Sequence, residues 1–302
     1  MTIFAFALVT TSAFTHALWN FLSKRKNPQA AFFLMASIAS GVILSPLLII
    51  FRDGLAVIPP PVWGLIAATG VVQSLYYIFL AAAYRNGDLS HAYPLARSMP
   101  VVFIAFVSVL LGRGEQIQPL AYAGFTLVTL GCIFLPLPKF SDIHPWQYRH
   151  KWVLFALLAA VCITGYTLLD DQSLRMLRSL PDTPLSNLGW ALLFGELEAI
   201  SISFFFTILL LGSKIERDTL MQARVPEWKT AAVMGTIIMG TYGLVLLSMA
   251  YVRNVSYVFA FRQLSIPIGA ALGMLVRKES ATPPKLAGIA LIVTGLVLAA
   301  LR

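Results

Sequence analysis

Two arginines lie within long apolar stretches and are the residues of this sequence best suited to bind a charged molecule. Arg97 and Arg262 lie about 7–8 residues, or roughly 10–12 Å, into their stretches. A charge at the centre of a bilayer costs about 2.5–3.5 kcal/mol, so such residues usually face a cavity or a partner. Because a guanidinium stays charged and presents a planar set of donors, the pair predicts a cavity that binds a carboxylate, phosphate or phosphonate. The alternative is that each arginine forms a structural ion pair or extends to the membrane interface.

Glu196 and Glu198 add two carboxylates to another apolar stretch. Two residues on a helix correspond to a rotation of about 200°, so one glutamate is expected to face the cavity and the other a neighbouring helix. A buried carboxylate can carry a proton or neutralise a substrate amine. A purely structural pair with Arg97 or Arg262 is the alternative.

Five further side chains are candidates for lining the same cavity. His16 and Asn20 are four residues apart and share one helix face, with Trp19 beside them. Gln73 lies near the middle of a later apolar stretch, and Tyr93 lies one turn before the first arginine. His16 is either a proton relay or a hydrogen-bonded packing residue. Tyrosines add aromatic lining or anchor helices at the interface, namely Tyr76, Tyr77, Tyr166, Tyr242 and Tyr257.

The composition places these side chains in a membrane. The chain of 302 residues is 58% hydrophobic and 12% charged, whereas soluble domains are about 45–50% apolar and about 25% charged. Apolar stretches near 20 residues recur throughout, and each is long enough to cross about 30 Å of hydrocarbon. The net charge of +9 is spread over short loops. The expected partners are therefore the lipid bilayer and a small-molecule substrate, and not nucleic acid.

The sequence predicts an all-α integral membrane protein with ten transmembrane helices. Polar turns such as Arg85-Asn86-Gly87-Asp88 mark most of the boundaries. Asp170 and Asp171 fall at the predicted end of the sixth span and are expected to be solvated. The predicted spans cover residues 2–22, 30–51, 62–84, 89–111, 119–137, 152–170, 188–211, 230–251, 255–276 and 285–301.

A stretch in the first half of the chain occurs again in the second half. Residues 84–131 and 251–295 each contain an arginine, Ser-x-Pro, a glutamate, a proline and a Gly-x-x-Leu-x-x-x-Gly ending. From the glutamate onward, the second copy follows the first by 164 residues. The chain is therefore predicted to hold two five-helix repeats, 1–138 and 152–302, joined by a linker over 139–151. An odd number of spans inverts the second copy, as in many secondary transporters whose site lies at the repeat interface.

Gly124, Gly131, Gly288 and Gly295 form a stripe of small residues on spans five and ten. Small residues let two helices approach closely in a membrane. These spans are therefore expected to form either a packed scaffold within the chain or the contact of a homodimer. The proline of each Ser-x-Pro motif removes a backbone donor close to an arginine, so spans four and nine are expected to kink there.

Lysine and arginine are unevenly distributed between the two sides of the predicted membrane. The loops after odd-numbered spans carry 14 of the 22 Lys and Arg residues, and the opposite side carries 6. The positive-inside rule then places the odd-numbered loops in the cytoplasm and both termini outside.

The repeated segment resembles the EamA-type unit of the drug/metabolite transporter superfamily. The resemblance is carried by Pro100 and Pro267, by Glu115 and Glu279, and by the two glycine-containing endings. It implies a basket-like, inverted-repeat carrier, often an exporter of amino acids or other metabolites, in a bacterial inner membrane. The run from residue 16 to residue 20 and the segment around Arg97 are also similar to a subgroup associated with phosphonate-utilisation genes.

The expected function is secondary active transport of a small anionic or zwitterionic metabolite, such as an amino acid, phosphonate or organophosphate, by export or proton-coupled antiport. An enzyme would need a catalytic motif, and neither His-Glu-x-x-His nor a nucleophile elbow occurs in the sequence. Since the sequence also lacks Gly-x-x-x-x-Gly-Lys, ATP is not expected to drive transport. No cofactor and no metal is expected either. The alternatives are a lipid flippase, which would favour a laterally open apolar groove, and a non-transporting membrane component.

Overall fold

The structure, a computed structural model, describes residues 1–23, 30–86, 89–135, 137–142, 150–278 and 280–301; for residues 18–23, 89–94 and 277 it describes the backbone alone. Within these ranges all regular secondary structure is helical, as predicted. The helices of the first half are α1 (Ile3–Ser23), α2 (Ala30–Leu44), α3 (Pro46–Ile50), α4 (Arg52–Ala56), α5 (Pro60–Asn86), α6 (Leu89–Leu110) and α7 (Pro119–Phe134). The helices of the second half are α8 (Lys151–Arg178), α9 (Asn187–Leu211), α10 (Lys214–Gln222), α11 (Val225–Ser248), α12 (Val255–Arg262), α13 (Ser265–Arg277) and α14 (Pro283–Ala300).

The helices have the length and apolarity of a multi-pass membrane protein. Among the described residues, seven helical segments are long and apolar enough to cross a bilayer, and each has at least 18 residues. Three shorter apolar helices, Ile3–Ala17, Leu95–Leu110 and Pro119–Phe134, occupy the other predicted spans. The exact count of ten spans therefore stays a prediction.

The two Ser-x-Pro motifs behave differently. The helical run of the ninth predicted span is interrupted at Gln263 and Leu264, between α12 and α13. Since Pro267 has no amide hydrogen, the carbonyl of Gln263 cannot receive the usual helical bond, and it accepts instead from the amide of Ile266 at 2.9 Å. The expected break thus occurs directly after Arg262. By contrast, α6 continues as a helix through Pro100.

Helices α7 and α14 pack along each other at the predicted glycine stripe. A Cβ atom added at Gly131 would lie 2.6 Å from the carbonyl oxygen of Gly288, and one added at Gly288 would lie 2.6 Å from that of Gly131. Gly124 and Gly295 make the same reciprocal approach. The glycines therefore allow a backbone-to-backbone contact that any side chain would prevent. This contact lies within one chain, as the scaffold alternative expected.

The interior of the molecule is formed mainly by contacts between the two halves. Helix α5 packs against α8 and α9, α6 against α8, and α11 against α1 and α2. Helix α12 lies against α1 and α6. Because helices of both halves alternate around the centre, residues from both repeats face the same interior space.

Candidate substrate-binding site

A cavity of about 140 Å³ lies between the two halves. It is small compared with the roughly 300–1,000 Å³ of typical ligand pockets, so it suits a small metabolite. On α5 the lining residues run from the middle of the helix, at Gln73, toward its C-terminal end. On α2 the lining residue, Phe33, is near the N-terminal end. The cavity therefore extends toward the side of the bundle where α5 ends and α2 begins. The lining residues are His16, Phe33, Gln73, Tyr76, Tyr77, Leu80, Tyr84, Arg97, Tyr166, Glu198, Ile202, Ile238, Met239, Thr241, Tyr242 and Arg262.

Arg262 is the last residue of α12 and faces the cavity from the helix break. The carbon of its guanidinium lies 5.4 Å from the ring centroids of both Tyr242 and Phe259. These aromatic faces stabilise the cation without neutralising it. Its Nη1 is buried and, among the described residues, has neither a hydrogen-bond partner nor a carboxylate within 4.0 Å. The structural ion pair considered from the sequence is therefore not formed by Arg262.

Arg97 lines the same cavity from α6 and is buried, with 5% of its surface exposed. His16 lines the cavity from α1 and lies within electrostatic range of both arginines. The two arginines come from different repeats, so the repeat-derived pair is brought to one cavity. This arrangement concentrates positive charge in a region that otherwise has aromatic and aliphatic walls.

The two glutamates of α9 point in different directions. Glu198 lines the cavity, is fully buried, and accepts a hydrogen bond from the Gln73 side-chain amide. Glu196 is also fully buried but does not line the cavity, and its carboxylate has no hydrogen-bond partner among the described residues. This separation follows from the helical rotation between positions two residues apart.

The predicted exposure of Asp170 to solvent is wrong. Asp170 was expected to be solvated, but it is fully buried. The reason is that α8 continues to Arg178, well beyond the predicted end of the span, so Asp170 lies inside a packed helix. The Thr69 hydroxyl donates to its Oδ1 at 2.7 Å, and the Tyr242 hydroxyl donates to its Oδ2. Thr69 and Gln73, which bind Asp170 and Glu198 respectively, lie four residues apart on one face of α5, so the two carboxyl groups neighbour each other.

Asp171 was likewise expected to be solvated and is buried, in an ion cluster next to Asp170. Its Oδ2 accepts from Arg113 Nη1 at 3.0 Å and from Arg175 Nε at 2.8 Å. Arg113 also donates from Nη2 to Gln172 at 2.6 Å. Since Arg113 follows α6 and the others belong to α8, this Asp171 cluster joins the two halves. The four-residue spacing of Asp171 and Arg175 is the sequence signal that α8 continues.

A second ion cluster joins the halves at the end of α5. Glu216 on α10 accepts from Arg85 through Oε1 and from the backbone amide of Ala31 through Oε2, the latter at 3.0 Å. Glu216 is buried, whereas Arg85 is about half exposed. This Glu216 cluster therefore ties α2 and α5 of the first repeat to α10 of the second.

The remaining predicted site residues divide into three groups. Tyr76, Tyr77, Tyr166 and Tyr242 line the cavity, as one alternative proposed. Tyr257 does not, because its hydroxyl accepts from the backbone amide of Gln118 at 2.9 Å at the start of α7. The side chains of Trp19, Asn20 and Tyr93 lie outside the described part of the structure.

Comparison with known proteins agrees with this architecture. Residues 2–136 and 150–301 each match the profile of the EamA-like transporter family. A protein known by its crystal structure is similar over 98% of this chain and 98% of its own, with a TM-score of 0.67 and 17% identity. At that identity the similarity shows the fold alone. No curated protein sequence matches the chain significantly.

Proposed function

Because the chain belongs to the EamA-like transporter family, we propose that it is a secondary active transporter of a small anionic or zwitterionic metabolite, such as an amino acid, a phosphonate or an organophosphate. The observation that carries the proposal is the cavity between the repeats, in which Arg97 and Arg262 are both buried. Arg262 forms no ion pair within 4.0 Å there among the described residues. A substrate anion would supply such a partner.

The chemistry of the cavity favours a compact oxyanion. A guanidinium donates two parallel hydrogen bonds to a carboxylate or phosphonate, and such charge-assisted bonds are stronger in a site from which water is excluded. The tyrosine rings around Arg262 limit the space for larger groups. Glu198 and Gln73, on the same cavity, would receive a substrate amine.

The arrangement in the membrane is part of the proposal. Ten spans in two inverted repeats would place the cavity near the midplane, with the odd-numbered loops in the cytoplasm of a bacterial cell and the protein in its inner membrane. The direction proposed is export, with protons as the counter-ion. The Asp171 and Glu216 clusters join the halves at opposite ends of the cavity, and opening one while the other stays closed would expose the site to alternate sides.

A thermal-shift screen tests substrate binding directly. Purified protein is heated with glycine, acetate, aminomethylphosphonate, methylphosphonate or inorganic phosphate at two pH values, and the Tm is recorded. At least one of these anions is expected to raise the Tm of the wild type through mass action. Arg262→Gln should abolish that increase.

The matched control is Arg52→Gln, since Arg52 is largely exposed and far along the chain from the cavity residues. It should keep the wild-type response. Equal stabilisation of wild type and Arg262→Gln would overturn the assignment of the cavity. Stabilisation by phospholipid headgroup analogues in place of all five probes would favour the lipid flippase instead.

A further inference from the structure

Asp170 and Glu198 are two fully buried carboxyl groups bound by adjacent turns of α5, and Glu198 lines the cavity. We propose that this pair is the proton-binding site of the transporter, and that a substrate ammonium group competes with the proton for it. The inference rests on the transporter function proposed above and narrows its substrate class to zwitterions. Arg97 and Arg262 would hold the anionic end of the substrate, and Glu198 its cationic end.

The hydrogen-bond donors around the pair are uncharged. Asp170 accepts from the hydroxyl groups of Thr69 and Tyr242, and Glu198 accepts from the amide of Gln73. The second oxygen of Glu198 is buried and receives no hydrogen bond from the described residues. A proton shared with the neighbouring carboxyl group of Asp170 would supply the missing donor.

The surrounding charges do not neutralise both carboxylates. Arg262 is the cation that acts on both, but no lysine, arginine or histidine nitrogen of the described residues lies within 4.0 Å of either one. Two ionised carboxylates that share a dry site repel each other, so the pair retains a proton. The other titratable groups facing the pair or the cavity beside it, among the described residues, are Asp171 and Tyr166 on α8, Tyr242 on α11, Tyr76, Tyr77 and Tyr84 on α5, His16 on α1 and Arg97 on α6.

Asp171, the next residue in the chain, provides an internal contrast. Its carboxylate is equally buried but accepts from two arginines at 3.0 and 2.8 Å. A carboxylate with two guanidinium partners is stable in the ionised form. The two adjacent aspartates therefore differ in their hydrogen-bond partners and not in their burial. Because Asp170 and Glu198 have uncharged partners, the exchangeable proton is assigned to them.

The exchange step replaces one cation by another at the carboxyl pair. When a zwitterion enters, the shared proton leaves to water on the open side, and the substrate ammonium group binds the Glu198 carboxylate that is then ionised. The anionic end of the substrate pairs with the arginines, so exchange of a zwitterion without net charge for a proton moves one net charge. When the substrate departs on the other side, a proton from that side returns to the pair. Because only one of the two cations occupies the pair at a time, substrate and proton move in opposite directions.

Infrared spectroscopy tests the proton site without any ligand. Protein in lipid vesicles is titrated across neutral pH, and the carbonyl stretch of protonated carboxylic acids is followed. The wild type should show a band that disappears on deprotonation, and this band should be lost in Glu198→Gln and altered in Asp170→Asn. Tyr242→Phe, which removes one donor and keeps the carboxyl groups, should shift the frequency of the band.

Glu196→Gln is the matched control, because Glu196 is equally buried on the same helix but lies off the cavity. It should leave the band of the pair in place. Identical pH-difference spectra for wild type, Glu198→Gln and Asp170→Asn would overturn the proton site, whether or not the protein transports any of the probes.

Competition is tested with the matched probes of the thermal-shift screen, using the amine-bearing and amine-free members of each pair. Aminomethylphosphonate or glycine should remove the protonated-carboxyl band, whereas methylphosphonate or acetate should leave it. In vesicles, Glu198→Gln should exchange labelled substrate more slowly than the wild type, because it loses the carboxylate that binds the amine, and the remaining exchange should not depend on a pH gradient. A gradient dependence equal to that of the wild type would contradict the coupling. If neither probe pair binds the wild type, the zwitterion assignment fails with the proposed function, and the infrared titration still decides the proton site.

Discussion

The α7–α14 contact and the cavity are both built from the two repeats, but they use the repeats in opposite ways. At the contact, the first glycine of each copy meets the second glycine of the other copy, and the approach distances are reciprocal. At the cavity the contributions differ. Arg97 and Arg262 come from equivalent segments, whereas Asp170 and Glu198 both belong to the second half.

The contact therefore serves the stability of the fold, whereas the cavity serves the binding of a substrate. In a symmetric contact the two copies pack against each other with the same residue pattern, and the glycine-containing ending is present in both copies. A binding site for a molecule with unlike ends needs unlike walls, so the second copy carries acidic residues that the first lacks. Substitutions at the contact should therefore alter stability, and substitutions at the cavity should alter transport.

The largest effect on transport is expected for Arg262→Ala. It removes a cavity cation that forms no ion pair among the described residues. Charge-assisted hydrogen bonds to a substrate contribute about 1.5–3 kcal/mol, or roughly 10- to 100-fold in affinity. Uptake of labelled probe by proteoliposomes should fall by at least that factor while expression and Tm stay near wild type. Wild-type transport rates in Arg262→Ala would refute the role assigned to it.

Gly131→Ala should destabilise the contact by about 1–3 kcal/mol, because the added Cβ meets the backbone of α14, which cannot move aside as a side chain can. Thermal unfolding in detergent, followed by circular dichroism, measures the change. Gly240→Ala is the control, since nothing lies within 4 Å of its added Cβ. That variant should match or exceed wild-type stability through its higher helix propensity. Equal losses in both variants would show that the close approach is not the cause.

Asp171→Asn should cost about 1–2 kcal/mol, because it weakens two charge-assisted hydrogen bonds to arginines that are partly exposed. It should also increase the labelling, by a thiol reagent, of cysteines introduced beside the Asp171 cluster, where the chain passes from α6 to α7. Asp53→Asn serves as the comparison, since the Arg52–Asp53 pair is about 80% exposed and spans 3.8 Å. Its unfolding should be indistinguishable from that of the wild type. Unchanged labelling in Asp171→Asn would remove the cluster from the opening step.

Tyr257→Phe should have the smallest effect, about 1 kcal/mol or less, since it removes one hydrogen bond from the Gln118 amide. Transport per folded molecule should be unchanged because Tyr257 lies outside the cavity. Tyr242→Phe, at the cavity wall, should change the pH dependence of transport instead. Altered transport in Tyr257→Phe together with an unchanged pH dependence in Tyr242→Phe would contradict the placement of Tyr242 at the cavity and of Tyr257 outside it.

The sequence predicted the parts of the molecule that follow from periodicity and repetition. Spans five and ten were expected to pack closely, within the chain or in a dimer, because small residues recur at helical spacing, and the break near Arg262 followed from Pro267. The two arginines were expected in one cavity because the halves are inverted copies. Each of these inferences needs only local pattern and symmetry.

The parts that the sequence did not predict depend on packing. Asp170 was expected in water because the apolar run ends there, yet the helix continues and contacts with Thr69 and Tyr242 enclose it. The rotation between Glu196 and Glu198 separated them but could not say which one faced the cavity. Neighbouring helices decide both, and these neighbours lie about 70–130 residues away in the chain.

The most direct test of the central claim is diffraction from crystals grown with selenate, a tetrahedral oxyanion that scatters anomalously. The account predicts an anomalous peak inside the cavity, within hydrogen-bond distance of the Arg262 guanidinium, that is absent from Arg262→Gln crystals. Peaks confined to the exposed basic loops, with none between the two halves, would contradict it.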